Sequence, residues 1–322
     1  MSDFILFGSK TRLKTWILAI AIATLLTTIL RLMGQIDIVT SIYLEPSLGW
    51  MALLLGGWLF GFGMVLSGGC ASRNVVRLGS GSLKALFVVL VMSIVAAATS
   101  FGWLRWMYEA LDVVRTPDLH GQGLGLMEIM GSAIGGGFGI IIALAAIGYC
   151  LADQGLRSSV SNIIVALTLG ILVPVGWIIT GSTLLQDQPY LVPQSLGYLV
   201  PAGELLRILT SPFGLGLSFA IVAWMGTAVG AAISSWFDGS FRFETFSNHD
   251  DMIRHFKGAI LMGLGGVLAA GCTIGQGVSG ISTLAPASLV AVFAMFMGTR
   301  RGLRYLETGV FWRHWKARPS GS

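Results

Sequence analysis

The stretch FGFGMVLSGGCASRNVV, residues 60–76, ends a glycine-rich apolar run on a cysteine. The stretch MGLGGVLAAGCTIGQGV, residues 262–278, does the same far downstream. Aligned with an offset of 202, Gly61, Gly63, Val65, Leu66, Gly69, Cys70 and Val76 each meet an identical residue. Asn74 meets Gln276, a second side-chain amide. A rare cysteine at the same point of the same pattern favours duplication. Charge then orients the two copies. Arg73, Arg77 and Lys84 follow Cys70, whereas no charged residue lies between Gly258 and Thr299. Basic residues mark the cytoplasmic side of a membrane. The first turn is therefore expected to open toward the cytoplasm and the second toward the opposite side, which makes the pair an inverted repeat.

The surrounding composition supports a membrane setting. The 322 residues have a mean hydropathy of +0.80, with 54% hydrophobic and 11% charged residues. A soluble domain carries about 25% charged residues. The apolar segments approach the roughly 20 residues a spanning helix needs and do not alternate with period two. The expected fold class is an all-α integral membrane protein, a polytopic helical bundle with an inverted internal repeat and two broken or re-entrant Gly-Cys elements. The expected halves are residues 1–155 and 156–310, followed by a basic cytoplasmic tail, 311–322. Lys10, Arg12 and Lys14 precede the first span, and Arg300, Arg301, Arg304, Arg313, Lys316 and Arg318 crowd the other end. They read as cytoplasmic anchors rather than a nucleic-acid surface. The N-terminal segment reads as an uncleaved first helix.

Expected spans are 14–33, 49–69, 85–107, 125–151, 159–180 (kinked at Pro174) and 214–237. Residues 71–84 read as a short polar, basic piece. Residues 181–213, with four prolines, read as a loop carrying a short interfacial or re-entrant helix. Residues 238–257 read as the hydrophilic connection. Beyond it, 258–271 and 284–299 look too short to cross comfortably. The glycines of GCTIGQGVSG, residues 271–280, disfavour helix by about 1 kcal/mol each.

Cys70, Cys150 and Cys272 are an odd set with no CxxC pair, which argues against a disulfide framework and a cysteine metal cluster. Thiols are soft, weak donors. Free backbone amides in a turn, or at a helix start, attract anions. The expected substrate path is Cys70 and Cys272 with Gly69, Gly271, Thr273, Gly275, Gly277, Asn74, Gln276 and Arg73; Cys150 and Arg77 are secondary candidates. Such a set suits a small anion, best a sulfur-bearing one. Plain alternatives stand beside it. Cys150 reads as a small buried residue, Arg73 and Arg77 also as topology signals, and Gly61, Gly63, Gly135, Gly136, Gly137, Gly263 and Gly265 as close helix packing. Scattered methionines read as core filling, and His249 with His255 makes weak metal evidence. Glu128 and Glu204 are the acids available for a proton relay.

The stretches 61–86 and 263–289 resemble the YeeE/YedE family of bacterial sulfur-transport membrane proteins. The resemblance implies an inner-membrane protein, hourglass-shaped, with inverted pseudo-symmetric halves. It implies that thiosulfate is handed along a central path by cysteine thiols, a role that falls on Cys70 and Cys272. No cofactor and no enzymatic activity are expected, since the sequence has no CxxC pair and no quinone-site signature. The resemblance also implies a separate cytosolic sulfur carrier of the TusA type as partner. Family members carry a further path cysteine near the N-terminus, and this sequence has none before Cys70. Two other readings stay open: a membrane thiol enzyme that moves sulfur or exchanges disulfides, and a scaffold that recruits a sulfur carrier.

Overall fold

The computed structural model describes residues 10–45, 49–111, 125–183, 192–210 and 218–308. The chain runs through helices α1 (Lys10–Leu32), α2 (Trp50–Leu66), α3 (Ala71–Gly79), α4 (Leu83–Ser100), α5 (Arg105–Leu111), α6 (Leu126–Met130) and α7 (Ser132–Leu151). It continues through α8 (Gln154–Arg157), α9 (Val160–Gly181), α10 (Val200–Thr210), α11 (Phe219–Phe237) and α12 (His249–Leu268), then a π-helical turn (Gly275–Gly280) and α13 (Pro286–Thr308). Six helices among the described residues are long and apolar enough to cross a membrane. The tail 311–322 lies outside the described residues.

Serine caps start two of the helices. Ser82 Oγ accepts the Ala85 amide before α4, and Ser218 Oγ accepts the Ile221 amide before α11. Such side chains satisfy amides that have no carbonyl of their own. Asn248 does the same for α12, whose first turn carries Asp250 and Asp251 at the positive end of the helix dipole.

The centre of the molecule is the pair α2 and α12. Their glycines let the two backbones meet. A methyl on Gly56 would lie 2.7 Å from the Gly265 carbonyl oxygen, and one on Gly63 would lie 2.7 Å from that of Gly258. Gly56 and Gly258 are 202 residues apart, as are Gly63 and Gly265. The two contacts therefore exchange when repeat positions are exchanged. As α2 advances from 56 to 63, its partner recedes from 265 to 258, so the helices run antiparallel. The expected packing role of Gly61, Gly63, Gly263 and Gly265 holds: Gly61 lies on the Met295 backbone of α13 and Gly263 on the Met92 backbone of α4. Gly135 and Gly136 also pack, against Leu126 and Leu32. Gly137 meets nothing within 4 Å.

Both central helices end in the same hydrogen-bonded cap. Ser67, Gly68 and Gly69 amides donate to the carbonyls of Gly63, Val65 and Met64. Ala269, Ala270 and Gly271 amides donate to those of Gly265, Val267 and Gly266, the same positions plus 202. This is the way a helix terminates on a left-handed residue, here Gly68 (φ 75°) and Ala270 (φ 51°).

Several sequence expectations are corrected. Residues 249–257 are not loop but the first turns of α12, because Asn248 caps them and their polar faces find partners. The helix before the second break is therefore 20 residues long. Likewise α13 continues past Thr299 to Thr308 and reaches 23 residues. Arg300, Arg301 and Arg304 extend it without breaking it, as charged residues do where a helix leaves the apolar layer. Within the short polar, basic piece, residues 71–79 form helix α3. The span expected over 125–151 is interrupted at Gly131 (φ 85°) between α6 and α7.

Candidate functional site

Each Gly-Cys turn is built by a side-chain amide. Asn74 Nδ2 donates to the carbonyls of Gly69 (3.0 Å) and Cys70 (3.1 Å). Gln276 Nε2 donates to those of Ala269 (2.7 Å) and Ala270 (3.2 Å). Both side chains are 1% exposed. Their two N–H bonds are spent inside the turn. The amides thus hold the turns in shape. Gln276 Oε1 is buried without a hydrogen-bond partner.

Cys70 is the N-cap of α3. The first-turn amides of a helix lack carbonyl partners and carry a positive partial charge. Its Sγ lies 3.1 Å from Ser72 Oγ. Gly68 and Arg73 are exposed and Gly69 is partly so, which opens this turn to the surface. Arg73 packs along Gly69. Arg77 is held by Glu244 at 2.9 Å.

Cys272 is 1% exposed and receives the Gly275 amide at 3.4 Å. It faces a cavity of about 230 Å³. Gly271, Gly275, Tyr43, Tyr198, Ser195 and Glu204 are among the lining residues. The cavity reaches the surface at Ile42 and Val192, both exposed. Thr273 is half-buried and its carbonyl accepts the Gly277 amide. Gly277 lies instead against the Trp16 ring, where a methyl would come within 2.7 Å. It lets α1 approach the π turn.

Cys70 and Cys272 belong to one packed cluster, together with Tyr198, Phe60 and Met262. The two thiols lie within electrostatic range of each other. Cys150 does not join them. It is buried among Leu18, Ala19, Leu156 and Ala166, with its Sγ 3.5 Å from the Lys14 carbonyl. Of the two acids, Glu128 is ion-paired with Arg31 in a nearly buried setting. Glu204 lines the Cys272 cavity and accepts the Ser218 hydroxyl at 3.0 Å. No three His, Cys, Asp or Glu side chains among the described residues converge as a metal site would require.

Sequence reasoning missed Tyr43, Ser195 and Tyr198. They come from connections between helices, where no period or repeat marks them. The nearest signal was Pro193, Gly197 and Pro201 in a segment almost free of charge.

The arrangement defines a class: a helical membrane protein with two thiol-bearing turns that open at different ends of the bundle onto one core. The family model described as sulphur transport matches residues 1–300, and the chain belongs to that family. Among curated proteins, the thiosulfate transporter TsuA of Spirochaeta thermophila is 25% identical over 310 residues, covering 92% of this chain and 88% of that protein. The thiosulfate transporter TsuA of Escherichia coli is 23% identical over 249 residues, covering 71% of this chain and 67% of that protein.

Proposed function

We propose that this chain carries a small sulfur oxyanion, thiosulfate foremost, across the bacterial cytoplasmic membrane, along a route that passes Cys272 and then Cys70. The observation that carries this reading is the placement of both thiols in one cluster, at turns with the same cap and opposite openings. Thiosulfate offers a soft terminal sulfur and three oxygens. A thiol S–H can donate to either, and the amides around each turn add positive dipole ends without a fixed counter-charge. Weak, repeated donors suit a carrier, because conduction needs binding that is strong enough to enter and weak enough to leave.

The halves are proposed to be residues 1–155 and 156–310, related as an inverted repeat. The antiparallel, exchange-symmetric contact of α2 with α12 supports this. The face bearing Lys14, Arg73, Arg77, Lys84 and Arg254 is taken as cytoplasmic, with both termini on it. A separate TusA-type sulfur carrier would meet the anion there. The protein is read as moving the anion unchanged rather than as an enzyme.

The test is uptake of radiolabelled thiosulfate into liposomes that contain only this protein, with sulfate and selenite as competitors. Uptake is expected from the wild type and is expected to vanish in Cys70→Ala and in Cys272→Ala at equal protein content. Wild-type rates in both variants would reject the thiol route.

A further inference from the structure

The segment 192–199 joins α9 to α10 and walls the Cys272 cavity. The segment is held at Gln194, Ser195 and Leu196, and the Tyr198 backbone amide lies against the Cys272 sulfur. Thr180 Oγ1 donates to the Gln194 carbonyl at 2.6 Å and accepts the Gln194 amide at 2.9 Å. Ser195 Oγ donates to the Val173 carbonyl at 2.8 Å. Ser279 Oγ, from the π turn, donates to the Leu196 carbonyl at 2.8 Å. Leu199 is fixed again, 1% exposed and packed on Gly266. Between these anchors a methyl on Gly197 would meet nothing within 4 Å. Tyr198 follows it.

Tyr198 is half-buried and lines the cavity with Cys272. It also packs on the cluster that Cys70 touches, and its phenol lies within electrostatic range of both thiols. Its hydroxyl lies 3.1 Å from Thr227 Oγ1. Thr227 gives its own proton to the Ala223 carbonyl at 2.8 Å, so Tyr198 is the donor in that pair. Thr227 has no equally strong claim on this proton once a charged acceptor arrives, because hydrogen bonds to ions are about twice as strong as neutral ones.

We propose that Tyr198 is a third substrate-contacting residue, standing between Cys272 and Cys70, and that turning of its ring beside Gly197 opens the route from one thiol to the other. With no anion present, the phenol donates to Thr227 and the ring separates the cavity from the Cys70 turn. An anion at Cys272 draws the hydroxyl proton from Thr227 to itself. The ring then turns about its side-chain bonds into the open space beside Gly197, while its backbone amide stays at the Cys272 sulfur. No covalent bond changes and no proton is lost. This rests on the transport reading given above.

Two measurements decide it. The first uses no substrate. A Cys70→Ala, Cys150→Ala protein keeps Cys272 as its single thiol. In sealed vesicles, a bulky membrane-impermeant maleimide is added at the face bearing Arg73 and Arg77. Labelling is expected to be slow with Tyr198 in place and severalfold faster in Tyr198→Ala. A Tyr198→Ala protein that accumulates in the membrane and labels no faster than its parent would overturn the proposal. The second measurement spares the fold: Tyr198→Phe keeps the ring and removes the donor. Its KM for thiosulfate uptake is expected to rise about fivefold, the worth of one hydrogen bond of about 1 kcal/mol. An unchanged KM would overturn the contact. Failure of the transport reading looks different: wild-type liposomes would take up no thiosulfate, while the labelling result would still stand or fall by itself.

Discussion

Two positions before Cys70 and before Cys272 stands a left-handed residue, Gly68 in the first turn and Ala270 in the second. Glycine adopts that conformation freely, whereas a Cβ costs roughly 1–2 kcal/mol there. Ala270→Gly is therefore expected to stabilise the protein by about 1 kcal/mol, and Gly68→Ala to destabilise it by a similar amount. Thermal unfolding in detergent checks both signs; equal melting temperatures for the two variants would refute the strain. At this scale the sequence was partly legible. Cys70 and Cys272 stood out because a scarce residue recurred in one pattern. The roles of Asn74 and Gln276 did not, because an amide in a turn can face either a ligand or its own backbone. Only the carbonyls of residues 69, 70, 269 and 270 decide that. Tyr198 was invisible, since its partners Cys70, Thr227 and Cys272 come from three distant parts of the chain.

Among the elements, the α2–α12 pair concentrates the energetics. In lipid, helices gain little from burying apolar surface against each other, and small residues let backbones pack closely. Gly63→Ala would place a methyl 2.7 Å from the Gly258 oxygen and 2.8 Å from the Met262 nitrogen. Backbone cannot yield as a flexible side chain does. The substitution is expected to cost about 1–3 kcal/mol, and its repeat mate Gly265→Ala about as much. Gly226→Ala on α11 meets nothing within 4 Å and is expected to gain up to about 1 kcal/mol of helix propensity. Equal stabilities for all three would show that the close approach is not limiting. The extents of α12 and α13 were misread because charged residues suggested loop. A helix that leaves the apolar layer keeps its hydrogen bonds, and in α12 the charged first turns also form ion pairs through Asp251 with Lys84 and Arg254. The π turn was legible only as an absence of helix, since glycines report what a segment cannot hold rather than what it forms.

Across the whole molecule, the polar connection and the start of α12 are strapped to the first thiol turn. The Glu244 carbonyl accepts the Leu83 amide, and its carboxylate holds Arg77. Asp251 holds Lys84 at 3.1 Å and Arg254 at 2.7 Å, with His255 Nδ1 at 3.2 Å. Burial works against the charge on Asp251, but the hydrogen bonds from Arg254 and Lys84 outweigh it and hold its pKa at about 2. The hydrogen bond from Arg77 lowers that of Glu244, against the opposing effect of burial. A carboxylate whose folded pKa is depressed stabilises the fold above its unfolded value and loses that contribution as pH falls through the folded one. The melting temperature should therefore decline as pH drops from about 5 toward about 2. Asp251→Asn should melt lower at neutral pH and show a shallower acid slope; an unchanged slope would place the acid response elsewhere.

The central claim is that the sulfurs of Cys70 and Cys272 meet the same permeant ion. Thiosulfate protection of each thiol tests it most directly. Two proteins, each keeping one of these cysteines and lacking the other two, are labelled with a small maleimide over a range of thiosulfate concentrations. Both thiols should be protected by thiosulfate, and less by sulfate, which lacks the soft terminal sulfur. Protection of one thiol alone, or of neither, would contradict a shared path.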